Sequence, residues 1–200
     1  MKYTQTKNEI ILASKSKVRK DILERHNIKC KVVQSNIDEE PIKKSLLNEG
    51  ASPELISKNL AEIKATKVSS SNENIMVIGA DSVIDLENNI ISKPSNREEA
   101  LEILKKLNGK QHFLISSVSI AKNGSMIWNH TDKAKLTMKN FNIDDLKKYL
   151  SKISDNALYS YNVYQIEGEG KNLFSKIEGD KDTIMGLPIK QIKEYLDKII

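Results

Sequence analysis

Apolar residues along this chain fall into short continuous runs and into stretches of helical spacing, and the two patterns place most of its elements. Residues 9–14 (EIILAS) predict a short buried strand. Ser16 follows as the N-cap of a helix running to about His26, with Ile22 and Leu23 facing inward. KCKVVQ (29–34) predicts a second strand, and SNIDEEP (35–41) a polar loop closed by Pro41. Between 52 and 69, Leu55, Ile56, Leu60, Ile63 and Val68 lie at helical spacing, and SSSNEN (69–74) is a loop. IMVIGA (75–80) is the most apolar run and predicts a central strand. DSVIDLENNIIS (81–92) predicts a hairpin turning at Asn88 and Asn89, and a helix from Ser95 to Leu107 is ended by Gly109. HFLISSVSIA and SMIWNHTDKAKLTM flank Asn123-Gly124, a strong hairpin signal. A helix from Asn142 to about Leu150, a strand at LFSKI (173–177) and a C-terminal helix opened by Leu187 and Pro188 complete the pattern. Hairpins and crossover helices together predict an α/β protein with a mixed sheet and no Rossmann-type repeat.

At 200 residues the chain is expected to form one domain, 1–200, elongated enough for two lobes around a cleft. Its single cysteine, Cys30, rules out a disulfide framework and reads as a structural thiol in a buried strand. No stretch approaches the roughly 20 apolar residues of a membrane span. The apolar run in MKYTQTKNEIILAS is too short for a signal-peptide core, so a cytoplasmic location is expected. The net charge is +5, and all but three of the 32 basic residues are lysine. The lysines are scattered and aromatics make up only 5%, which argues against direct nucleic-acid binding and leaves an anionic small substrate. In so lysine-rich a chain, a retained arginine suggests work that needs a bidentate donor.

The common nucleotide motifs are absent: there is no P-loop and no dinucleotide fingerprint. His26, His112 and His130 show no metal-ligand spacing and read as surface or hairpin residues. ILASKSKVRKDIL (11–23) reads as a strand, a Ser-rich loop and a helix start, where open N–H groups, Ser14, Ser16 and Arg19 could hold phosphate. Arg19 in the first turn opposes the helix dipole, a conflict that an anionic ligand would remove; the alternative is an ordinary Ser cap beside a solvated Arg. IGADS (78–82) presents Asp81 at the end of the central strand, where it could hold a metal ion, accept a proton from water, or simply start a turn. In the DEE loop (38–40), Glu39 is either a metal ligand or a solvated acid. Lys64 and Lys93 are candidate phosphate contacts among many lysines.

Together these segments resemble the Maf family of nucleoside triphosphate pyrophosphatases. The likeness begins at LASKSKVR (12–19), similar to the family's L-A-S-x-S-P-R-R, and continues in order through DEEP (38–41), EIKA (62–65), GADSV (79–83) and KP (93–94). It then covers LNGKQH (107–112), EGEG (167–170) and GLP (186–188). The resemblance implies an ITPase-like α/β fold with a nucleotide cleft, often dimeric. It implies hydrolysis of a nucleoside triphosphate to monophosphate and pyrophosphate with Mg²⁺ or Mn²⁺, a housekeeping role against modified nucleotides, and a link to cell-division arrest. It implies that Asp81 is the proton acceptor, that Arg19, Lys64 and Lys93 bind phosphate, that Glu39 is the loop acid, and that Val18, Ser82 and Glu167 tune base choice. Lys17, Val18 and Ser82 depart from the family pattern, and its K-A-G-x-Y stretch is barely recognisable at 156–165. Glu167 matches the branch that handles 7-methyl-GTP, which makes a guanine-type nucleotide the expected substrate. A thymidine or uridine triphosphate pyrophosphatase, or a non-catalytic nucleotide-binding regulator, is the alternative.

Overall fold

The computed structural model describes residues 9–155, 157–158 and 163–199. The first eight residues and part of the 156–165 stretch therefore lie outside the described residues. The elements are β1 (Ile10–Leu12), α1 (Lys17–Arg25), β2 (Lys31–Val32), α2 (Glu39–Asn48), α3 (Pro53–Ser69), β3 (Met76–Leu86), β4 (Asn89–Ile91) and α4 (Arg97–Leu107). They continue with β5 (Gln111–Lys122), β6 (Ser125–Met138), α5 (Ile143–Ser151), a 3₁₀ turn (Glu169–Leu173), β7 (Phe174–Glu178), α6 (Lys181–Ile184) and α7 (Ile189–Ile199). The strands form one mixed sheet in the order β2-β1-β3-β5-β6-β7, with β4 also on β3. β1 runs parallel to β2 and β3, and the other pairs are antiparallel. The α/β class with a mixed sheet and flanking helices is as the sequence predicts.

Local signals account for most boundaries. Ser16, Ser52, Asn96 and Asn142 cap α1, α3, α4 and α5 through their side chains. Asn123 and Gly124 both adopt left-handed backbone and turn the β5–β6 hairpin. Four more asparagines, Asn27, Asn36, Asn74 and Asn88, take the same left-handed conformation.

Three expectations change. SNIDEEP is not all loop: Asp38 is an N-cap position and α2 begins at Glu39, with Pro41 in its first turn, where no intrahelical N–H is needed. The turn after β3 falls on Glu87 and Asn88, one residue earlier than expected. Cys30 precedes β2 and is only half-buried, and β2 itself is exposed.

Because strand side chains alternate, the register divides β3 cleanly. Met76, Ile78 and Ala80 join β1, α1, α7 and Val118 in one apolar cluster. Ile84 and Leu86 join α4, α5, Leu114 and Leu136 in another. Between them on the same face, Ser82 pairs with Ser116 and Ser116 with Asp132. A polar row thus crosses the sheet between two apolar clusters. The opposite face meets α3. An added Cβ on Gly79 would strike the carbonyl oxygen of Ala61 and come within 2.6 Å of the Ala65 nitrogen, so only glycine lets this helix seat.

Candidate active site

β1 pairs with β3 only as far as Ile78, and β4 begins its pairing at Ile84. Over Gly79–Val83 the edge of β3 that faces away from β5 therefore has no strand partner among the described residues, and the candidate residues gather around this gap. Asp81 sits in the middle of β3, not at its end, so the turn reading fails. It is buried at 5% exposure and faces α3.

The α3 side is ionic. Lys64, buried by the helix packing that Gly79 permits, places Nζ 2.8 Å from Asp81 Oδ1 and 2.8 Å from Glu39 Oε1. One ammonium therefore bridges both carboxylates. Asp81 Oδ2 is buried and has no hydrogen-bond partner among the described residues. Lys43, one turn along α2, lies 3.6 Å from Glu39 and 3.2 Å from Glu40. Desolvation acts to raise the Glu39 carboxyl, but Lys64, Lys43 and Lys93 overcome it and hold it below the usual carboxylate value. Desolvation acts to lower Lys43, and Glu39, Asp81 and Glu40 reverse that. Lys93, just past β4, is held below its ordinary value by desolvation and then by Arg19, against the pull of Glu39 and Asp81. These mutual effects show four cations and three carboxylates sharing one field.

The Ser82 side is a hydrogen-bonded clip. Arg19 donates from Nε to the Gly186 carbonyl at 2.8 Å and from one terminal nitrogen to the Ala80 carbonyl at 2.9 Å and Ser14 Oγ at 3.3 Å. Its other terminal nitrogen donates to Ser82 Oγ at 3.1 Å. The conflict with the α1 dipole is thus settled inside the protein: the guanidinium reaches away to carbonyls and hydroxyls. Burial lowers the Arg19 pKa, with Asp81 and Glu39 opposing. Four of its five N–H bonds are spent on the chain, leaving one for a ligand. Ser14 Oγ also accepts from the Ser16 N–H, and Ser16 Oγ from the Arg19 N–H. Among the first-turn donors this leaves Lys17 and Val18 open.

Of the remaining expected residues, Val18 packs against the β1-side apolar cluster. Glu167 is half-exposed and pairs with Lys181 at 3.3 Å. That contact joins it to the α6 segment, whose following Gly186 meets Arg19, and not to Asp81. Glu39 lies in the cluster, at the start of a helix and not in a loop. Lys43 is not among the sequence-based candidates because 35–41 reads as a loop and no helix is predicted over 39–48; its i,i+4 spacing from Glu39 is the signal a helix reveals. The histidine reading is corrected at His112, which is 1% exposed and bonds Tyr164 Oη at 2.8 Å. His26 pairs with Asp182 at 3.1 Å, and His130 stacks on Trp128.

Glu39 and Asp81 offer hard oxygen donors near one point, and the unpartnered Asp81 oxygen is a further acceptor there. That suits Mg²⁺ or Mn²⁺, which need one or two carboxylates when phosphates and water complete the shell. Among the described residues no group of three or more His, Cys, Asp or Glu could hold a metal without such help. Two surface hollows, of about 440 and 340 Å³, lie elsewhere, beside Cys30 and beside Asn123. The clustered charges, and not these hollows, mark the candidate site. No helix among the described residues is long and apolar enough to cross a membrane.

The chain is 68% identical over 192 residues to a nucleoside triphosphate pyrophosphatase of Pelagibacter ubique, covering 96% of this chain and 98% of that one. It is 39% identical over 181 residues to a 7-methyl-GTP pyrophosphatase of Brucella abortus, covering 90% and 91%. A HAM1 protein from Coxiella burnetii shares the fold at a TM-score of 0.56 and 12% identity, over 95% and 98% of the two chains. The family model described as Maf-like protein matches residues 9–199. With motifs, fold and relatives in agreement over almost the whole length, the chain belongs to the Maf-like protein family.

Proposed function

We propose that this chain hydrolyses a nucleoside triphosphate to the monophosphate and pyrophosphate in the cytoplasm. The observation that carries the reading is Asp81: a buried carboxylate with one oxygen on Lys64, the other unpartnered, inside a field of four cations. A triphosphate brings about four negative charges, which must be balanced before a nucleophile can approach. Lys64, Lys93, Lys43 and the remaining Arg19 donor supply that balance around the gap in β3. Mg²⁺ or Mn²⁺ held by Glu39 and Asp81 would supply further charge neutralisation. Asp81 Oδ2 accepts a proton from, and so orients, the attacking water. No covalent intermediate is required, since water activated at Asp81 is nucleophile enough.

For the base, Glu167 as an ionised carboxylate only accepts hydrogen bonds and so suits the ring N–H and amine of guanine or 7-methylguanine. The Brucella relative named for 7-methyl-GTP supports this reading. Val18 and Ser82 complete the proposed specificity set. Pyrophosphate release should be measured with Mg²⁺ or Mn²⁺ against 7-methyl-GTP, GTP, dTTP and UTP, in the wild type and in Asp81→Asn. The expected result is turnover favouring the guanine nucleotides and a loss of at least ~100-fold in kcat for Asp81→Asn. Near-wild-type turnover in that variant removes Asp81 from the chemistry. Preference for dTTP or UTP overturns the base assignment. Nucleotide binding with no turnover by the wild type favours a regulator.

A further inference from the structure

We infer that Ser116 is a specificity-determining residue: it fixes the proton of Ser82 so that Ser82 offers a nucleotide base an acceptor and no donor. This rests on the proposed place of Ser82 beside the base. Ser116 has no solvent exposure and lies in the polar row directly across from Ser82. Its Oγ is 2.8 Å from the carbonyl oxygen of Thr183 and 2.8 Å from Ser82 Oγ. A hydroxyl has one proton, and a carbonyl can only accept. The Ser116 proton is therefore spent on Thr183, and the bond between the two serines runs the other way, with Ser82 donating. Ser82 Oγ in turn accepts from Arg19 at 3.1 Å. The donors point in one direction, from Arg19 to Ser82 to Ser116 to Thr183.

The acceptor of this chain is itself anchored. Thr183 donates from Oγ1 to Asp132 Oδ2 at 2.7 Å, and Asp180 accepts from the Thr183 N–H at 3.0 Å. Gly186, with φ of +102°, passes so close that a Cβ there would lie 3.2 Å from Ser82 Oγ. Among the described residues, Ser116 Oγ is the acceptor that the Ser82 proton meets. Its side chain is only partly buried, and one lone pair remains for a ligand. Together with the acceptor-only Glu167, this favours a donor-rich base edge such as that of guanine and disfavours the two carbonyls of thymine or uracil. Replacing Ser116 with alanine frees the Ser82 proton to meet a carbonyl.

The test is kcat/KM for 7-methyl-GTP, GTP, dTTP and UTP in the wild type, Ser116→Ala, Ser82→Ala and the double variant. Ser116→Cys, a slightly larger side chain that is a weaker donor and acceptor, serves if the alanine variant does not fold. The expected result is a fall in the guanine-to-pyrimidine ratio on the order of tenfold in Ser116→Ala, with no further fall when the change is made in Ser82→Ala. An unchanged ratio in the folded Ser116 variant overturns the inference. So does an equal fall with and without Ser82, which would make Ser116 merely structural. The direction of change decides the matter whichever base the wild type prefers. Failure of the wild type to release pyrophosphate from any of the four removes the proposed function, and the inference with it.

Discussion

Lys64 is the residue on which the site turns. Its ammonium is buried, with 8% of the side chain exposed, and holds Asp81 and Glu39 together. Removing one partner of a buried pair leaves charge without compensation, at a cost of about 3–5 kcal/mol. Lys64→Ala is expected to melt at a markedly lower temperature, and added Mg²⁺ should raise its Tm more than that of the wild type, since a divalent cation can then sit between the carboxylates. Thermal scans with and without Mg²⁺ check this. His112 carries a second expectation. Burial lowers its pKa to about 4 from the ordinary 6.5. The unfolded chain takes up a proton below about pH 6.5 and the folded chain only near 4, so stability present at neutral pH is lost as pH falls through that window, by about 3 kcal/mol. Urea unfolding at pH 7 and pH 5 should show about 2 kcal/mol of this loss, and His112→Phe should remove most of it. Asp81, Lys64 and Arg19 were legible from an apolar run ending in Gly-Ala-Asp, a helical lysine and a capped helix start. Ser116 was not, because its meaning lies in a cross-strand register that no local pattern encodes.

At the level of elements, the gap in β3 exists because β1 is three residues long and β4 starts late. α3 completes it by approaching β3 at Gly79. At Gly79 it is helix backbone, at Ala61 and Ala65, that comes close. Gly79→Ala should drive α3 outward, separate Lys64 from Asp81, and cost about 1–3 kcal/mol, as overpacking does. A drop in urea midpoint accompanied by a fall in kcat checks both halves of that expectation. Element types were legible wherever periodicity and capping agreed, as in α1, α3, α4, α5 and the β5–β6 hairpin. The reading failed at α2, because Pro41 reads as a breaker until it is placed in a first turn. It also shortened β3, whose Asp81, Ser82 and Asp85 interrupt the apolar run while the strand continues.

In the molecule as a whole, the polar row Ser82–Ser116–Asp132 parts two apolar clusters, yet β3, β5 and β6 run unbroken through both. Neither cluster can lose its strands without exposing the other. Unfolding is therefore expected as one transition: fluorescence of Trp128, stacked on Tyr195 beside the β1-side cluster, should coincide with far-ultraviolet circular dichroism in urea. The same view gives the left-handed asparagines a wider meaning. At five left-handed positions the chain uses Asn27, Asn36, Asn74, Asn88 and Asn123 where glycine would fit with less strain, and it has only eight glycines. Glycine would widen the set of shapes open to the unfolded chain, and asparagine narrows it. These asparagines thus leave folding with less conformational freedom to remove, in exchange for a small strain at each such position.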